Sequence, residues 1–322
     1  MVDNQVATPK VALITDAMSL PEDYEMQGLC RELRKLGIDG VICDWEDNSI
    51  IWSCFDLVVM RSPWSYTNKL PIFLDWMDNL RSQVHILNNP DVIKWNLSKS
   101  YLQDLQKRGV PCIETIYVDS LQSLHNQAPK IHSFFEDYQE IVVKPSVGAY
   151  SRGVRKFTAD EIAHFQAHLE NSLTANMPLL IQPYLQRVNH EGELDIAVIN
   201  GSISHYVIKD PLLRDSHLAL EPTQERRRIG IAPLPSHAEH VVEKCLTAIK
   251  DIFPHQEQLL YSRIDLLPSC NKEYRLLELE VFEPSLSLNL TPSGLANFAS
   301  AIADRSITAS RHRENLPFSQ QK

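Results

Sequence analysis

Short apolar runs alternate with amphipathic stretches through the first third of the chain. VALIT (Val11–Thr15) reads as a buried strand, and from Tyr24 to Leu36 the residues Met26, Leu29, Leu33 and Leu36 share one helical face before Gly37 stops the helix. IDGVICDW and DLVVMR (Asp56–Arg61) return as strands, a helix follows over about 70–81, and HILNN makes a short strand before Pro90. Strands separated by helices predict a parallel sheet covered on both faces, hence a small doubly wound lobe over residues 1–95.

From Asn96 the pattern changes. NLSKSYLQDLQKRGVP reads as one helix capped by Asn96 or Ser98, with Lys99 in its first turn and Gly109-Val110-Pro111 at its end. CIETIYV and EIVVKP read as strands, followed by the turn-rich loop SVGAYSRG. Thr158 and Glu161 form a capping box for EIAHFQAHL, and MPLLIQPYL is an apolar strand. ELDIAVI and SISHYVIK flank Asn200-Gly201, a hairpin signal. Ser236 and Glu239 open a helix to about residue 252, and LLYSRIDLL pairs with YRLLELEV around the turn SCNK. The expected fold class is α/β, with a central lid (96–186) and a C-terminal antiparallel-sheet lobe (187–322).

Composition narrows the function classes. The chain has 322 residues, 43% hydrophobic and 22% charged, and a formal net charge of -10. That charge excludes a nucleic-acid binder, which needs a basic footprint; the one basic cluster, Arg226–Arg228, is too short to track a phosphate backbone. The six cysteines show no Cys-x-x-Cys spacing and read as reduced thiols. The opening MVDNQVATPK lacks a signal-peptide layout, and no apolar run reaches the ~20 residues that span a bilayer. The expectation is a cytoplasmic protein with no membrane partner, whose polar tail after Arg305 is loosely held.

The stretch RIDLLPSCNKEYRLLELEVFEP carries the sharpest chemistry. Alternation on a strand puts Glu278 and Glu280 on one face, away from Leu277 and Leu279, and a tight hairpin brings Asp265 opposite them. Three converging carboxylates need a cation, and hard oxygen ligands favour magnesium with phosphates and water. Lys144 ends a strand before a loop whose Gly148 and Gly153 allow backbone N–H groups to bend over a polyphosphate. Alone, Lys99 and Lys144 read as solvated lysines. Their order along the chain gives them weight.

That order, with MRSPWSYT, NLSKSYLQDLQKRGVP, VVKPSVGAYSRG, IQPYLQRVNHEGELD and RIDLL…LELEVFEPSLSL, resembles the ATP-grasp superfamily over nearly the whole chain. Within it the chain is most similar to the glutathione-synthetase-like branch and the cyclo-ligases that act on O-ureido-serine in cycloserine biosynthesis. The resemblance implies ATP as nucleotide, two magnesium ions on Asp265, Glu278 and Glu280, and phosphate contacts from Lys99 and Lys144. It implies an adenine-reading hinge at Gln182, Pro183 and Tyr184, and an acidic residue toward the ribose or adenine at Glu193 or Glu191. Lys209 and Arg263 would stabilise the transferring phosphoryl group. Where the branch usually has asparagine as third metal ligand, this chain has Glu280.

Arg61 resembles the family's substrate-side arginine, with Ser62, Trp64 and Tyr66 on the same wall; it reads equally as a loop arginine beside a core tryptophan. One of Arg226–Arg228, represented by Arg228, would bind a substrate carboxylate. Ser285 would touch substrate or phosphate, or simply lead a helix. The implied activity is ADP-forming carboxylate–amine ligation through an acyl phosphate, closing a ring in an amino-acid-derived small molecule. An intermolecular amino-acid or dipeptide ligase and a non-catalytic nucleotide-binding regulator are the alternatives. Relatives of this type make a homo-oligomer compatible with the resemblance.

Overall fold

The computed structural model describes residues 8–149, 151–213, 226–270 and 273–314, with side chains described to residue 306 in the last helix. Tyr150 of the glycine loop, Asn271 and Lys272 of the SCNK turn, and the tail 315–322 lie outside the described residues.

The first sheet comprises β1 (Lys10–Thr15), β2 (Asp39–Asp44), β3 (Leu57–Ser62) and β4 (Ile86–Leu87), all parallel, in the order β2-β1-β3-β4. Its central strands are apolar without alternation because both faces are covered: Val11–Ile14 and Leu57–Met60 are fully buried. The helices Met26–Lys35 and Leu70–Leu80 make the crossovers near the expected bounds. HILNN contributes only the two residues of β4, because Asn88 and Asn89 are used otherwise. The Asn89 side chain caps the helix Pro90–Asn96 by accepting the Asp91 N–H. Asn88 crosses to the third sheet, donating to the carbonyls of Tyr261 (2.7 Å) and Val281 and accepting the Leu260 N–H at 2.7 Å.

The helix expected to start at Asn96 or Ser98 begins only at Tyr101 (Tyr101–Lys107), after a separate helix, Pro90–Asn96, that ends where it was expected to begin. Tertiary hydrogen bonds hold the break between the two. Asn96 spends its side chain on β13, donating to Leu279 O and accepting from Val281 N, and the Lys99 N–H donates to Ser146 O at 2.7 Å. Lys99 therefore sits in the break rather than in a helical turn.

The second sheet is antiparallel, order β5-β8-β6-β7: β5 (Ile116–Val118), β6 (Glu140–Pro145), β7 (Arg155–Thr158) and β8 (Leu179–Pro183). Two helices cover it. Ile162–Thr174 follows the expected Thr158–Glu161 capping box, whereas Leu121–Asp137 was not legible in the sequence pattern. This sheet encloses its own core, including Ile116, Phe134, Val143, Phe165 and Leu169.

The third sheet, order β11-β10-β9-β12-β13, is antiparallel throughout. Its strands are β9 (Glu193–Ile199), β10 (Ser202–Lys209), β11 (Arg227–Ile229), β12 (Tyr261–Pro268) and β13 (Tyr274–Glu280). Asn200 and Gly201 both take positive φ (46° and 72°), the two-residue hairpin expected. One face packs Leu194, Ile196, Ile264 and Leu279 against Val241 and Cys245 of the helix Ser236–Ile252. That cluster also contains Ile14, Met60, Tyr66 and Phe73, so the first and third sheets share a core. The final helix, Gly294–Glu314, continues beyond Arg305 where a loose tail was expected; Phe298 and Ile302 join Leu13, Leu29 and Tyr261 in a second shared cluster.

Gly192 turns the chain from the helical turn Val188–Glu191 into β9 with φ 81° and ψ 177°, a region essentially confined to glycine. A Cβ there would lie 2.9 Å from the Lys209 carbonyl oxygen and 2.6 Å from an Ile208 methyl. Gly192→Ala is expected to destabilise the protein by about 2 kcal/mol in denaturant unfolding. A loss under about 0.5 kcal/mol would mean that the turn relaxes freely.

Candidate active site

The face of the third sheet opposite its helix is almost wholly ionic, and strand register explains why. Lys209 lies beside Glu193 and Arg227, Asp195 beside Asp265, Asp265 beside Glu278, and Arg263 beside Glu280. These cross-strand neighbours share one side of the pleat. Partner shifts between Asp265 and Leu266 leave Leu277 as the bulged residue, turned toward the cavity beside Leu267. A cavity of about 570 Å³ lies between this face, the second sheet and the first lobe.

Charges within it are interlocked. Arg263 donates from Nε and Nη2 to Asp265 (2.7 and 2.8 Å), and Nη2 also reaches Glu280 at 2.6 Å. Lys99 Nζ bonds Glu278 at 2.7 Å and the Gly148 carbonyl at 2.9 Å, tying the glycine loop to β13. Lys209 Nζ holds Glu193 at 2.6 Å, with Asp195 at 3.8 Å. Arg227 stands 3.5 Å from Asp195 and donates to Ser287 Oγ.

Burial dominates the titration of these groups. It pushes Glu193 up to about 8 against the Lys209 charge, and Glu280 up to about 7, with Asp265 and Glu278 adding to the rise. Asp265 is raised for the same reasons, whereas Lys99 and Lys144 hold Glu278 below the usual glutamate range. Burial lowers Lys144 to about 8 despite the attraction of Glu278. Burial raises Glu193, Asp265 and Glu280 by disfavouring their charged form, and neighbouring carboxylates add to it.

Oxygens of Asp265, Glu278 and Glu280 all lie within 4.8 Å of one another. An all-oxygen donor set at this spacing, with surplus negative charge, fits a hard divalent cation such as magnesium. Beyond it the cavity becomes apolar: Ile113, Val142, Val154, Tyr184, Leu185, Val188 and Leu267 make a slot suited to a flat ring. Gln182 and Pro183, at the end of β8, edge this slot; Gln182 Nε2 is held by Thr115 Oγ1 at 2.9 Å.

Of the residues singled out in the sequence, Lys99, Lys144, Gln182, Pro183, Tyr184, Glu193, Lys209, Arg263, Asp265, Glu278, Glu280, Arg61 and Ser285 all line this one cavity. Three do not. Glu191 faces outward and pairs with Arg187. Arg228 sits opposite Ile208 in register and pairs with Asp210, so alternation turns Arg227 inward in its place. Ser62 is fully buried and donates to Thr15 Oγ1 at 2.8 Å, facing the sheet rather than the cavity.

Arg61 is the largest fully buried side chain. Its guanidinium pairs with Glu25 at 2.7 Å and lies over the rings of Phe298 and Tyr261. Glu25 in turn accepts the Leu288 N–H at 2.6 Å and the Leu286 N–H at 3.4 Å. Glu25, Asp195 and Glu283 were missed in the sequence, and Arg227, one of the three arginines offered there, stands where Arg228 was chosen. Asp195 alone had a local signal, two residues along β9 from Glu193; the others acquire meaning only through contacts between distant segments.

Residues 11–88 match the family model described as D-cycloserine synthetase DcsG, N-terminal domain. The cycloserine biosynthesis protein DcsG of Streptomyces lavendulae is 32% identical over 299 residues, spanning 92% of this chain and 98% of that protein. The crystal structure of D-cycloserine synthetase DcsG superposes with a TM-score of 0.84 at 31% identity, covering 92% and 99% of the two chains. A D-alanine–D-alanine ligase from Bacillus anthracis, complexed with ATP, superposes at 0.68 over 95% and 99%, with 13% identity, and shares the fold. Among the described residues, no helix is long and apolar enough to cross a membrane. The chain belongs to the DcsG family of ATP-grasp ligases.

Proposed function

We propose that the protein is an ADP-forming cyclo-ligase that closes a ring within one amino-acid-derived substrate, the carboxylate and the attacking nitrogen lying on the same molecule. One observation carries this reading: a single cavity joins a three-carboxylate cation site, a cluster of buried lysines and arginines, and an apolar slot. The 32% identity to a cycloserine biosynthesis protein supports ring closure over condensation of two molecules.

Asp265, Glu278 and Glu280 would hold magnesium, two ions in this reading, which would neutralise phosphate charge and orient the nucleotide. Lys144 and Lys99 come from the strand end and chain break that flank the glycine loop, where they would hold the nucleotide phosphates. The slot beside Gln182–Tyr184 would take the adenine, with Glu193 toward the ribose. Lys209 and Arg263 face the site of phosphoryl transfer, where fixed cations stabilise developing charge without reorganisation. Arg61, with Ser285, closes the substrate end. Residues 1–95, 96–186 and 187–322 are our division into substrate-side lobe, lid and metal-bearing lobe. No nucleophilic side chain is required, because phosphorylation makes the substrate's own carboxylate reactive and the remaining work is positioning.

The test is to incubate the protein with ATP, magnesium and a panel of amino acids that includes ureido- and hydroxy-substituted ones, following nucleotide and product masses together. The expected result is ADP with a product one water lighter than a single substrate. A condensed pair of substrates would make it an intermolecular ligase, and AMP with pyrophosphate would defeat the acyl-phosphate route.

A further inference from the structure

Glu283 is a cavity acid to which none of these roles falls. It follows β13 in LEVFEP, three residues beyond Glu280, and is only 7% exposed while lining the cavity. Two aromatic residues of the first lobe fix it: Tyr66 Oη donates to Oε1, and Trp64 Nε1 donates to its carbonyl at 2.9 Å. Tyr66 is itself locked, its ring centroid 5.3 Å from those of both Phe73 and Phe282. The second carboxyl oxygen, Oε2, is buried and takes no hydrogen bond. No described lysine or arginine forms an ion pair with this carboxyl.

A buried carboxyl with one open oxygen is unfavourable unless a partner reaches it. Burial, reinforced by Glu280, holds its pKa well above the usual carboxylate range. The partner that matches such a group is a cationic N–H donor. Elsewhere at the same end of the cavity, Glu25 is already occupied by Arg61 and two backbone N–H groups.

We propose that Glu283 Oε2 receives the α-ammonium group of the amino-acid substrate. The assignment rests on the cyclo-ligase reading, in which the substrate carboxylate lies against the Asp265–Glu278–Glu280 cluster to be phosphorylated. In an α-amino acid the ammonium nitrogen is two bonds from the carboxyl carbon. Glu283 lines the same cavity as that cluster, held at its first-lobe wall by Tyr66 and Trp64, where it can meet a group carried beside the reacting carboxyl. Glu283 then acts as a specificity determinant: it selects α-amino acids over their des-amino counterparts and fixes which end of the molecule faces the phosphoryl donor.

The experiment is steady-state kinetics of the full chain, Glu283→Gln and Tyr66→Phe, with ATP, magnesium and O-ureido-serine. The des-amino analogue of O-ureido-serine serves as second probe. For Glu283→Gln, KM for O-ureido-serine should rise about 10- to 100-fold, while KM for ATP stays within about twofold. The variant should also lose most of the wild-type preference for the amino acid over its des-amino analogue, with Tm unchanged because the amide oxygen still accepts the Tyr66 hydroxyl. Tyr66→Phe should shift KM in the same direction by less. An unchanged KM and preference in Glu283→Gln would overturn the assignment. So would a fall in kcat alone, or a parallel loss of ATP affinity and Tm. No turnover by the wild-type chain would overturn the cyclo-ligase reading, and this assignment with it.

Discussion

Replacing Glu278 by glutamine is expected to lower ATP-dependent turnover by about 10³-fold, because it removes a charged oxygen from the three-carboxylate group it forms with Asp265 and Glu280. Glu278 stands between two systems. On its own face it neighbours Asp265 across the strands, and from the chain break Lys99 reaches it at 2.7 Å. Of the three carboxylates in the proposed metal set it is the one whose pKa is lowered, Lys99 and Lys144 both drawing it down. Glutamine keeps the volume and a carbonyl acceptor for Lys99, so folding should survive and the loss should be chemical. A coupled ADP assay over a magnesium titration, with a parallel denaturation curve, separates the two. Activity above a tenth of wild type at any magnesium concentration would remove Glu278 from the metal set.

Arg61→Met is expected to cost about 3–5 kcal/mol of stability, the largest folding effect of any single change considered, because it strands Glu25 as a buried charge. Arg61 is 1% exposed and Glu25 5%. Two backbone N–H groups of the segment after β13 end on the same carboxylate, so the pair staples that segment to the first lobe. The double variant Arg61→Met, Glu25→Gln removes both charges and should recover most of the loss, as replacement of a whole buried pair usually does. Chemical denaturation of the two variants decides it; a loss under about 1 kcal/mol for the single change would show that water or a neighbour takes over from Arg61.

Much of the frame was legible because it is locally coded. The parallel sheet announced itself through VALIT and DLVVMR, which lack the alternation of a half-exposed strand, and the Asn200-Gly201 turn marked a hairpin, whose register then shifts by one between Ile203 and His205. Alternation also put Glu278 and Glu280 on one face, which is why the carboxylate set could be read without knowing the fold. What failed was decided elsewhere in the chain. The helix Leu121–Asp137 buries only Ile131 and Phe134 among its apolar residues and carries Pro129 inside, so its pattern is faint. The break around Lys99 is made by Asn96 reaching β13, a partner more than 180 residues away. Choosing Arg228 over Arg227 was a question of strand parity that no composition argument resolves. Glu283 is unremarked in its own neighbourhood; it becomes conspicuous only once Tyr66, 217 residues earlier, is seen to hold it.

The way hydrophobic cores are distributed bears on how members of this family can be recombined. Since Ile14, Met60 and Tyr66 are packed with Ile196, Ile264 and Phe282, and Asn88 completes the hydrogen bonding of strands that carry the carboxylate cluster, a chimera joined near residue 90 would cut one core into two mismatched halves. Exchange of residues 116–183 would instead transplant a sheet whose interior travels with it. Under the proposed function, substrate choice would be inherited together with the ionic face of the third sheet, and the proposed nucleotide cover would be the part that can be traded between relatives.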